Sequence, residues 1–285
     1  MKKVVFFGGG SPLGFPISKE ISQLESCEVT VVDFTTSFRK VFLTKKINFL
    51  GIDDFIKFNF NTNEFDQIII NLFDLFDYRT YKYSRENNNF LINFINRIMD
   101  IILKNHRSKI SVIMNSYRYE KAITNYQVAF NLYNEIISSF LKIISNITLK
   151  KCQFILLPNV LLNSTNHNIG FIENVVNALK KGGKISVSES YRDYILFSDV
   201  NSLISKAILS ESYVDFEFTS GVAHKMTYIY RQIANNLKLT SDIEVNRSEY
   251  KIVHYSQWND FEIDTEEIII CRDLNSLINE FLLNK

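Results

Sequence analysis

The stretch that decides the fold lies near the amino terminus and reads Val4-Val5-Phe6-Phe7-Gly8-Gly9-Gly10-Ser11-Pro12-Leu13-Gly14. The apolar residues predict a buried strand, and a glycine-rich turn follows them directly. A helical segment comes next, and then Glu28-Val29-Thr30-Val31-Val32-Asp33, an apolar strand that ends in a carboxylate. This order of strand, glycine turn, helix, strand and carboxylate is typical of a β-α-β unit that binds a dinucleotide.

The chemistry of a dinucleotide explains why these residue types favour the site. Glycines let the backbone approach a pyrophosphate without a clash at Cβ, and the start of the helix offers N–H groups and a positive dipole end. A carboxylate at Asp33 can accept the ribose hydroxyls. The spacing is GxxSxxG rather than GxGxxG, and the alternative is a tight turn that only joins strand to helix. The predicted cofactor contacts in this unit are Gly8, Gly10, Ser11, Leu13, Gly14 and Asp33.

Composition narrows the class of protein. The chain has 285 residues, of which 46% are hydrophobic, enough for one large α/β core with a small additional lobe. A net charge of +1 gives no general attraction to nucleic acid or to an anionic membrane, so neither is expected as a partner. No apolar run reaches membrane-spanning length. The three cysteines fit no disulfide or zinc pattern and the four histidines no metal spacing, which favours a cytoplasmic protein without a metal.

Short apolar runs alternate with longer amphipathic ones along the chain. This alternation predicts an α/β fold, a doubly wound, Rossmann-like parallel sheet, with a smaller carboxyl-terminal substrate lobe. The predicted division is a dinucleotide-binding domain over residues 1–160 and a substrate-binding lobe over residues 161–285, with some segments returning to the main sheet. Strands are predicted at residues 3–7, 28–33, 55–60, 67–72, 110–115 and 153–157, and helices at residues 15–24, 87–103 and 125–145.

Ligands of such sheets bind beyond the carboxyl ends of the strands. The predicted crevice therefore gathers the glycine turn, Asp33 and the residues that follow the later strands. Those residues include three further candidate cofactor contacts, Asn71, Leu72 and Phe73, and two candidates for chemistry and substrate, Ser116 and Asn159.

These residues resemble a known family. The chain is similar, over about residues 3 to 283, to the extended short-chain dehydrogenase/reductases, and in particular to their nucleotide-sugar epimerase/dehydratase branch. The resemblance rests on the glycine turn, on Ile113-Met114-Asn115-Ser116, which looks like the strand that ends in the catalytic Ser or Thr, and on Arg192-Asp193-Tyr194-Ile195 in the substrate lobe. It implies NAD as the cofactor, with NADP disfavoured by the carboxylate of Asp33, and a nucleotide-sugar ligand.

The resemblance also implies a catalytic set. The family uses a tyrosine as acid/base, a lysine four residues later that lowers the pKa of the tyrosine, and a Ser or Thr that binds the reacting oxygen. Tyr126 lies ten residues after Ser116, at the expected place, but Phe130 stands where the lysine should be. Lys121, in the preceding segment, could reach the site on its flexible stem. The predicted catalytic residues are therefore Tyr126, Ser116 and Lys121.

For the substrate, the resemblance implies contacts from Asn159 and Arg192, the arginine binding the diphosphate of the sugar donor. The alternative for Arg192 is a surface ion pair with Asp193 or Asp199. Many members of the family dimerise through two long helices, which here would be residues 87–103 and 125–145. A homodimer is accordingly expected.

Three functions remain open at this point. The favoured one is an NAD(P)-dependent epimerase, dehydratase or reductase that acts on a nucleotide-activated sugar, in surface polysaccharide biosynthesis, with an altered acid/base arrangement. The second is a catalytically silent relative that binds a nucleotide or nucleotide sugar and serves as a partner protein. The third is a structural or regulatory Rossmann-like protein without a ligand, against which the glycine turn and Asp33 count.

Overall fold

The structure is a computed structural model in which most of the chain can be described. The described residues are 1–24, 26–33, 47–57, 65–72, 90–105, 107–119, 128, 131–132, 135–136, 139, 142, 152–162, 171–240, 243–246, 252–254 and 265–283. The chain forms two compact units. The first unit comprises residues 1–114, 124–156 and 201–216, and the second comprises residues 115–123, 157–200 and 217–285.

Over residues 2–115, helices separate most of the successive strands, as the sequence predicts. The strands are β1 (Lys2–Phe7), β2 (Cys27–Asp33), β3 (Ile47–Gly51), β4 (Gln67–Asn71), β5 (Lys109–Asn115), β6 (Tyr117–Tyr119), β7 (Cys152–Leu157), β8 (Asn159–Leu161), β9 (Ile185–Ser188), β10 (Tyr191–Arg192), β11 (Tyr194–Leu196), β12 (Asp215–Thr219), β13 (His224–Lys225), β14 (Ile243–Asn246), β15 (Ile252–His254) and β16 (Thr265–Ile269). The helices are α1 (Gly14–Gln23), α2 (Ile52–Lys57), α3 (Phe90–Lys104), α4 (Phe171–Lys180), α5 (Phe197–Leu209), α6 (Met226–Leu237) and α7 (Leu274–Leu283).

An eight-stranded sheet carries the fold, in the order β16-β12-β7-β5-β4-β1-β2-β3. The pairs β1–β2, β1–β4, β2–β3 and β4–β5 are parallel. All residues of β4 and β5 are buried, which is the pattern of strands covered on both faces. The order 3-2-1-4-5 with parallel pairing is that of a doubly wound sheet, so the predicted fold class is confirmed.

One predicted strand is wrong. The sequence predicts a strand over residues 55–60, but β3 lies earlier and residues 55–57 belong to α2, while residues 58–60 lie outside the described residues. The ring of Phe55 is fully buried and makes edge contacts with Phe7 of β1 and Phe94 of α3, with ring centroids 5.1 and 6.0 Å apart. Asp53 and Asp54 lie in the first turn of α2, where negative charges interact favourably with the positive end of the helix dipole and stabilise the helix. Spaced aromatic residues in so short a segment fit the period of a strand and that of a helix. The packing of Phe55 against Phe94 of α3 favours the helix.

The second unit has a core of its own. Buried side chains of α4, α6 and α7 pack together with those of β9 and β11, and Tyr194, Ile229 and Phe281 are among them. Four two-stranded ribbons complete the unit: β10–β13 and β15–β6 are antiparallel, and β11–β8 and β14–β9 are parallel. Among the described residues, no helix combines the length and the apolar character that crossing a bilayer requires.

Candidate functional site

The glycine turn between β1 and α1 is held together from inside. Gly8 has a φ of +78°, a conformation that favours glycine. The hydroxyl of Ser11 donates to the carbonyl oxygen of Gly8 at 2.7 Å and accepts the N–H of Gly14 at 2.9 Å. Ser18 of α1 donates to the carbonyl oxygen of Gly9 at 2.9 Å. Ser11, which stands where the family has its middle glycine, therefore points into the turn and stabilises it.

Gly14 of the turn has no room for a side chain, and Gly10 has little. A Cβ on Gly14 would lie 2.1 Å from the carbonyl oxygen of Gly8, which is impossible without moving the backbone. A Cβ on Gly10 would lie 3.1 Å from Oδ2 of Asp33, at the end of β2. The buried carboxylate of Asp33 thus lies against the bare backbone of Gly10.

Asn71, at the end of β4, joins the turn to the sheet. Its side chain is fully buried, and its Nδ2 donates to Oγ of Ser11 at 3.0 Å and to the carbonyl oxygen of Gly8 at 3.4 Å. Its Oδ1 is buried and has no hydrogen-bond partner in the part of the chain that the structure describes. A buried acceptor without a donor is costly, so this oxygen is suited to a donor from a ligand. Leu72 is buried beside it, and Phe73 lies outside the described residues.

Of the predicted catalytic residues, the structure describes only Ser116. Ser116 directly follows β5, is buried, and its N–H donates to the carbonyl oxygen of Leu157 at 2.8 Å. Tyr126, Lys121 and Phe130 lie outside the described residues, so their predicted roles stay predictions. No group of His, Cys, Asp and Glu with the arrangement of a metal site occurs among the described residues.

Asp193, which sequence reasoning treated only as an ion-pair partner, is the structural centre of the predicted substrate site. Its buried carboxylate accepts the hydroxyl of Thr219 at 2.7 Å, the N–H of Ser220 at 3.0 and 3.2 Å, and the hydroxyl of Ser220. Its carbonyl oxygen accepts both the backbone N–H of Asn159 at 3.1 Å and Nδ2 of Asn159 at 2.9 Å. Asp193 therefore holds the loop after β12 and the candidate substrate residue Asn159 to the segment of Arg192.

The other proposed partner of Arg192 is also engaged. Both carboxylate oxygens of Asp199 accept from one nitrogen of Arg272, at 2.9 and 3.0 Å, and Arg272 also pairs with Glu280 of α7. These carboxylates raise the pKa of Arg272. Arg192 itself is half-buried and donates to the carbonyl oxygen of Tyr191 at 3.0 Å.

Arg192 lies in the two-residue ribbon β10–β13, where it is paired with His224, and Tyr191 is paired with Lys225. Sequence reasoning missed His224 and Lys225, because the only local signal was a basic pair just before a helix. What brings them to Arg192 is the pairing of two strands about thirty residues apart in the sequence. Near this ribbon, burial and the negative charges of Glu267 and Asp193 raise the pKa of Glu217.

No protein-family model and no curated protein matches the chain, whereas several solved structures do. The enzyme WbmG from Bordetella bronchiseptica, in complex with NAD, is 14% identical, with a TM-score of 0.70 over 99% of this chain and 93% of its own. A dTDP-glucose 4,6-dehydratase from Bacillus anthracis, in complex with NAD, is 13% identical, with a TM-score of 0.68 over 100% of this chain and 98% of its own.

A third structure is an epimerase with a bound nucleotide sugar. The UDP-N-acetylglucosamine 4-epimerase from Methanobrevibacter ruminantium, in complex with UDP-N-acetylmuramic acid, is 14% identical, with a TM-score of 0.66 over 98% of this chain and 96% of its own. At these identities the likeness concerns the fold, and it extends over both compact units. The chain thus has the fold of nucleotide-sugar epimerases and dehydratases, some of them crystallised with NAD, which confirms at the level of the fold the resemblance that its sequence predicts.

Proposed function

We propose that this chain binds NAD(H) and acts as an epimerase, dehydratase or reductase on a nucleotide-activated sugar. The observation that carries the proposal is the turn between β1 and α1, in which Gly14 has no room for a side chain and the carboxylate of Asp33 lies against Gly10. A joining turn needs no buried carboxylate at that point. The fold of the whole chain, shared with NAD-bound nucleotide-sugar enzymes, supports the same function.

The residues present fit this cofactor. The turn of Gly8, Gly10, Ser11, Leu13 and Gly14 would hold the pyrophosphate, and the N–H of Gly10 makes no hydrogen bond to any of the described residues. Asp33 would bind the adenosine ribose, and its negative charge disfavours the 2′-phosphate of NADP. The buried Oδ1 of Asn71 would accept a donor from the bound cofactor. Leu72 and Phe73, which follow it in the sequence, stay predicted cofactor contacts. NAD supplies a reversible hydride acceptor when bound.

The second unit would bind the substrate. Asn159 and Arg192 are held to each other through Asp193, and the guanidinium of Arg192 suits the diphosphate of a nucleotide sugar. Ser116 would hold the reacting oxygen of the sugar and Tyr126 would exchange its proton, with the cation supplied by Lys121 in place of the lysine that Phe130 replaces. In this proposal the reaction serves surface polysaccharide biosynthesis in the cytoplasm.

The first experiment tests the ligands. Protein purified under mild conditions is denatured, and its supernatant is examined by mass spectrometry for NAD, NADP and nucleotide sugars. Titration calorimetry with NAD and NADP then compares the unmodified chain with Asp33→Ala. We expect tighter binding of NAD by the unmodified chain and a smaller difference for Asp33→Ala. Tighter binding of NADP to the unmodified chain contradicts the assignment of Asp33.

The second experiment tests the chemistry and decides between enzyme and silent relative. Single-turnover assays follow cofactor absorbance with UDP-, GDP- and dTDP-hexoses. We expect slow turnover that Tyr126→Phe and Lys121→Ala abolish and that Phe130→Lys accelerates. The specific observation that favours a binding protein is the phenylalanine at position 130. A chain that holds a nucleotide sugar but stays inactive after Phe130→Lys would be that silent relative.

A further inference from the structure

The register of the β10–β13 ribbon places His224 beside Arg192. The strands are antiparallel, and Arg192 lies directly opposite His224. Side chains directly opposite each other in an antiparallel pair project from the same face, with Cβ atoms about 4.5–5.5 Å apart. The neighbouring pair, Tyr191 and Lys225, must project from the other face, and Nζ of Lys225 indeed lies 5.7 Å from the ring centroid of Tyr191. One face of the ribbon therefore presents a guanidinium and an imidazole together.

The imidazole of His224 is oriented by a neighbour on α6. Its ring stacks on that of Tyr228, with centroids 5.7 Å apart and an angle of 26° between the planes. Stacking occupies one face of the imidazole, so its hydrogen-bonding groups lie along the ring edge. His224 is half-buried and Tyr228 is exposed, which leaves the pair accessible to a ligand.

The position of His224 relative to Arg192 is also held from the other side, through Asp193. The carboxylate of Asp193 binds Thr219 and Ser220, which begin the loop that leads to His224. Gly221 in this loop has a φ of +79° and lets the chain turn toward β13. Because Asp193 directly follows Arg192, both strands of the ribbon are anchored at one buried residue. The donors of Arg192 and His224 are thus preorganised rather than brought together by the ligand.

We infer that His224 is a second ligand of the diphosphate that Arg192 binds, so that this face of the ribbon selects a nucleoside diphosphate group over a monophosphate. The inference rests on the proposed function, in which Arg192 contacts a nucleotide-linked substrate. A guanidinium and an imidazole on adjacent positions offer N–H donors to two phosphates, and charged acceptors make such hydrogen bonds strong. A monophosphate engages one of the two groups and gains little from the other.

The test is titration calorimetry on the full chain with UDP, dTDP, GDP and CDP and the matched monophosphates. For the diphosphate that binds best, His224→Ala should weaken binding about 5- to 20-fold, the scale of one hydrogen bond to a charged group. Its monophosphate should lose less than about 2-fold. His224→Gln, which keeps an N–H donor, should recover part of the affinity. Arg192→Ala should weaken both ligands.

Lys225→Ala is the matched control, since it removes a full positive charge from the next residue but on the opposite face of the ribbon. It should change diphosphate affinity by less than about 2-fold. A loss for Lys225→Ala as large as that for His224→Ala would mean that any nearby positive charge attracts the diphosphate, and it would overturn the inference. So would a loss confined to Arg192→Ala, which leaves the proposed function intact. If the unmodified chain binds no diphosphate, the inference fails together with the nucleotide-sugar part of the proposed function, and NAD titration shows whether the cofactor part survives.

Discussion

Gly14 is the residue of the glycine turn that leaves the least room for a side chain. A methyl group there would lie 2.1 Å from the carbonyl oxygen of Gly8 and 2.8 Å from Cα of Gly9. Gly14→Ala should therefore displace the turn, lower the free energy of unfolding by about 1–3 kcal/mol and abolish NAD binding. Thermal unfolding and calorimetry with NAD measure the two effects.

The control for that substitution is Gly183→Ala. A Cβ on Gly183 would meet only the carbonyl oxygen of Ala178, at 3.8 Å, an ordinary contact. This variant should melt within a degree or two of the unmodified chain and bind NAD unchanged. Unchanged NAD affinity in Gly14→Ala would show that the turn does not contact the cofactor.

Ser11 and Asn71 form a hydrogen-bonded pair whose energy can be measured. Ser11→Ala deprives the buried N–H of Gly14 of its acceptor and leaves the amide of Asn71 only the longer bond to the carbonyl oxygen of Gly8, which should cost about 1–3 kcal/mol of unfolding free energy. In a double-mutant cycle with Asn71→Ala, we expect a coupling of about 1 kcal/mol. Ser22→Ala removes a hydroxyl that, within the described part of the chain, bonds to the carbonyl oxygen of Lys19 in its own helix, and it should cost less. Strict additivity of Ser11→Ala and Asn71→Ala would argue against the pair.

At the scale of elements, buried polar side chains link neighbouring strands of the first unit. Gln67 of β4 donates to Ser111 of β5 at 3.3 Å, Ser111 donates to Gln153 of β7 at 3.1 Å, and Gln153 donates to the carbonyl oxygen of Val214 at 3.0 Å. Read as separate strands, these segments look like apolar runs with an occasional polar residue. Only their alignment in the sheet brings the polar residues together, so the sequence predicted the strands but not this network.

The side chain of Lys109, in β5, binds the carboxyl-terminal end of α5. Its Nζ donates to the carbonyl oxygens of Ala207, Ile208 and Ser210, at 3.2, 3.1 and 2.8 Å. These are acceptors that a helix leaves without partners at its end. Burial, with a smaller contribution from the charge of Lys2, lowers the pKa of Lys109 to about 8.

This lowered pKa predicts a dependence of stability on pH. The ordinary pKa of a lysine is near 10.5, so between about pH 8 and 10.5 the unfolded chain holds a proton that the folded chain has released. The free energy of unfolding contributed by this site therefore rises with pH across that window and is level below it. Denaturant unfolding at several pH values should show the rise in the unmodified chain and a smaller one in Lys109→Met. Lys181→Met, a control at an exposed lysine, should show the same rise as the unmodified chain. If Lys109→Met also showed that full rise, Lys109 would not be the residue that causes it.

For the molecule as a whole, the homodimer stays a prediction, and described residues of the segment 125–145 offer a way to test it. Val128, Leu132 and Ile136 are helical and exposed, with 49%, 49% and 37% of their surface accessible. Residues four apart lie on one side of a helix, so these three side chains form an apolar stripe. If the stripe lies between two copies, Leu132→Glu should shift the chain from dimer to monomer in light scattering after size exclusion. Leu203→Glu, at an exposed leucine of α5, should leave the mass unchanged, and a monomeric unmodified chain would contradict the dimer.

The sequence by itself determined the first β-α-β unit, the doubly wound sheet and the positions of Asp33, Asn71 and Ser116 at strand ends. Those features depend on contiguous residues whose period and turn chemistry act locally. Only the tertiary structure decided that Phe55 belongs to a helix, that Ser11 is hydrogen-bonded to Asn71, and that Arg192 is paired with His224. Each of these depends on which distant segment packs or pairs with the residue, and the energy of such contacts outweighs local preference without leaving a local signal.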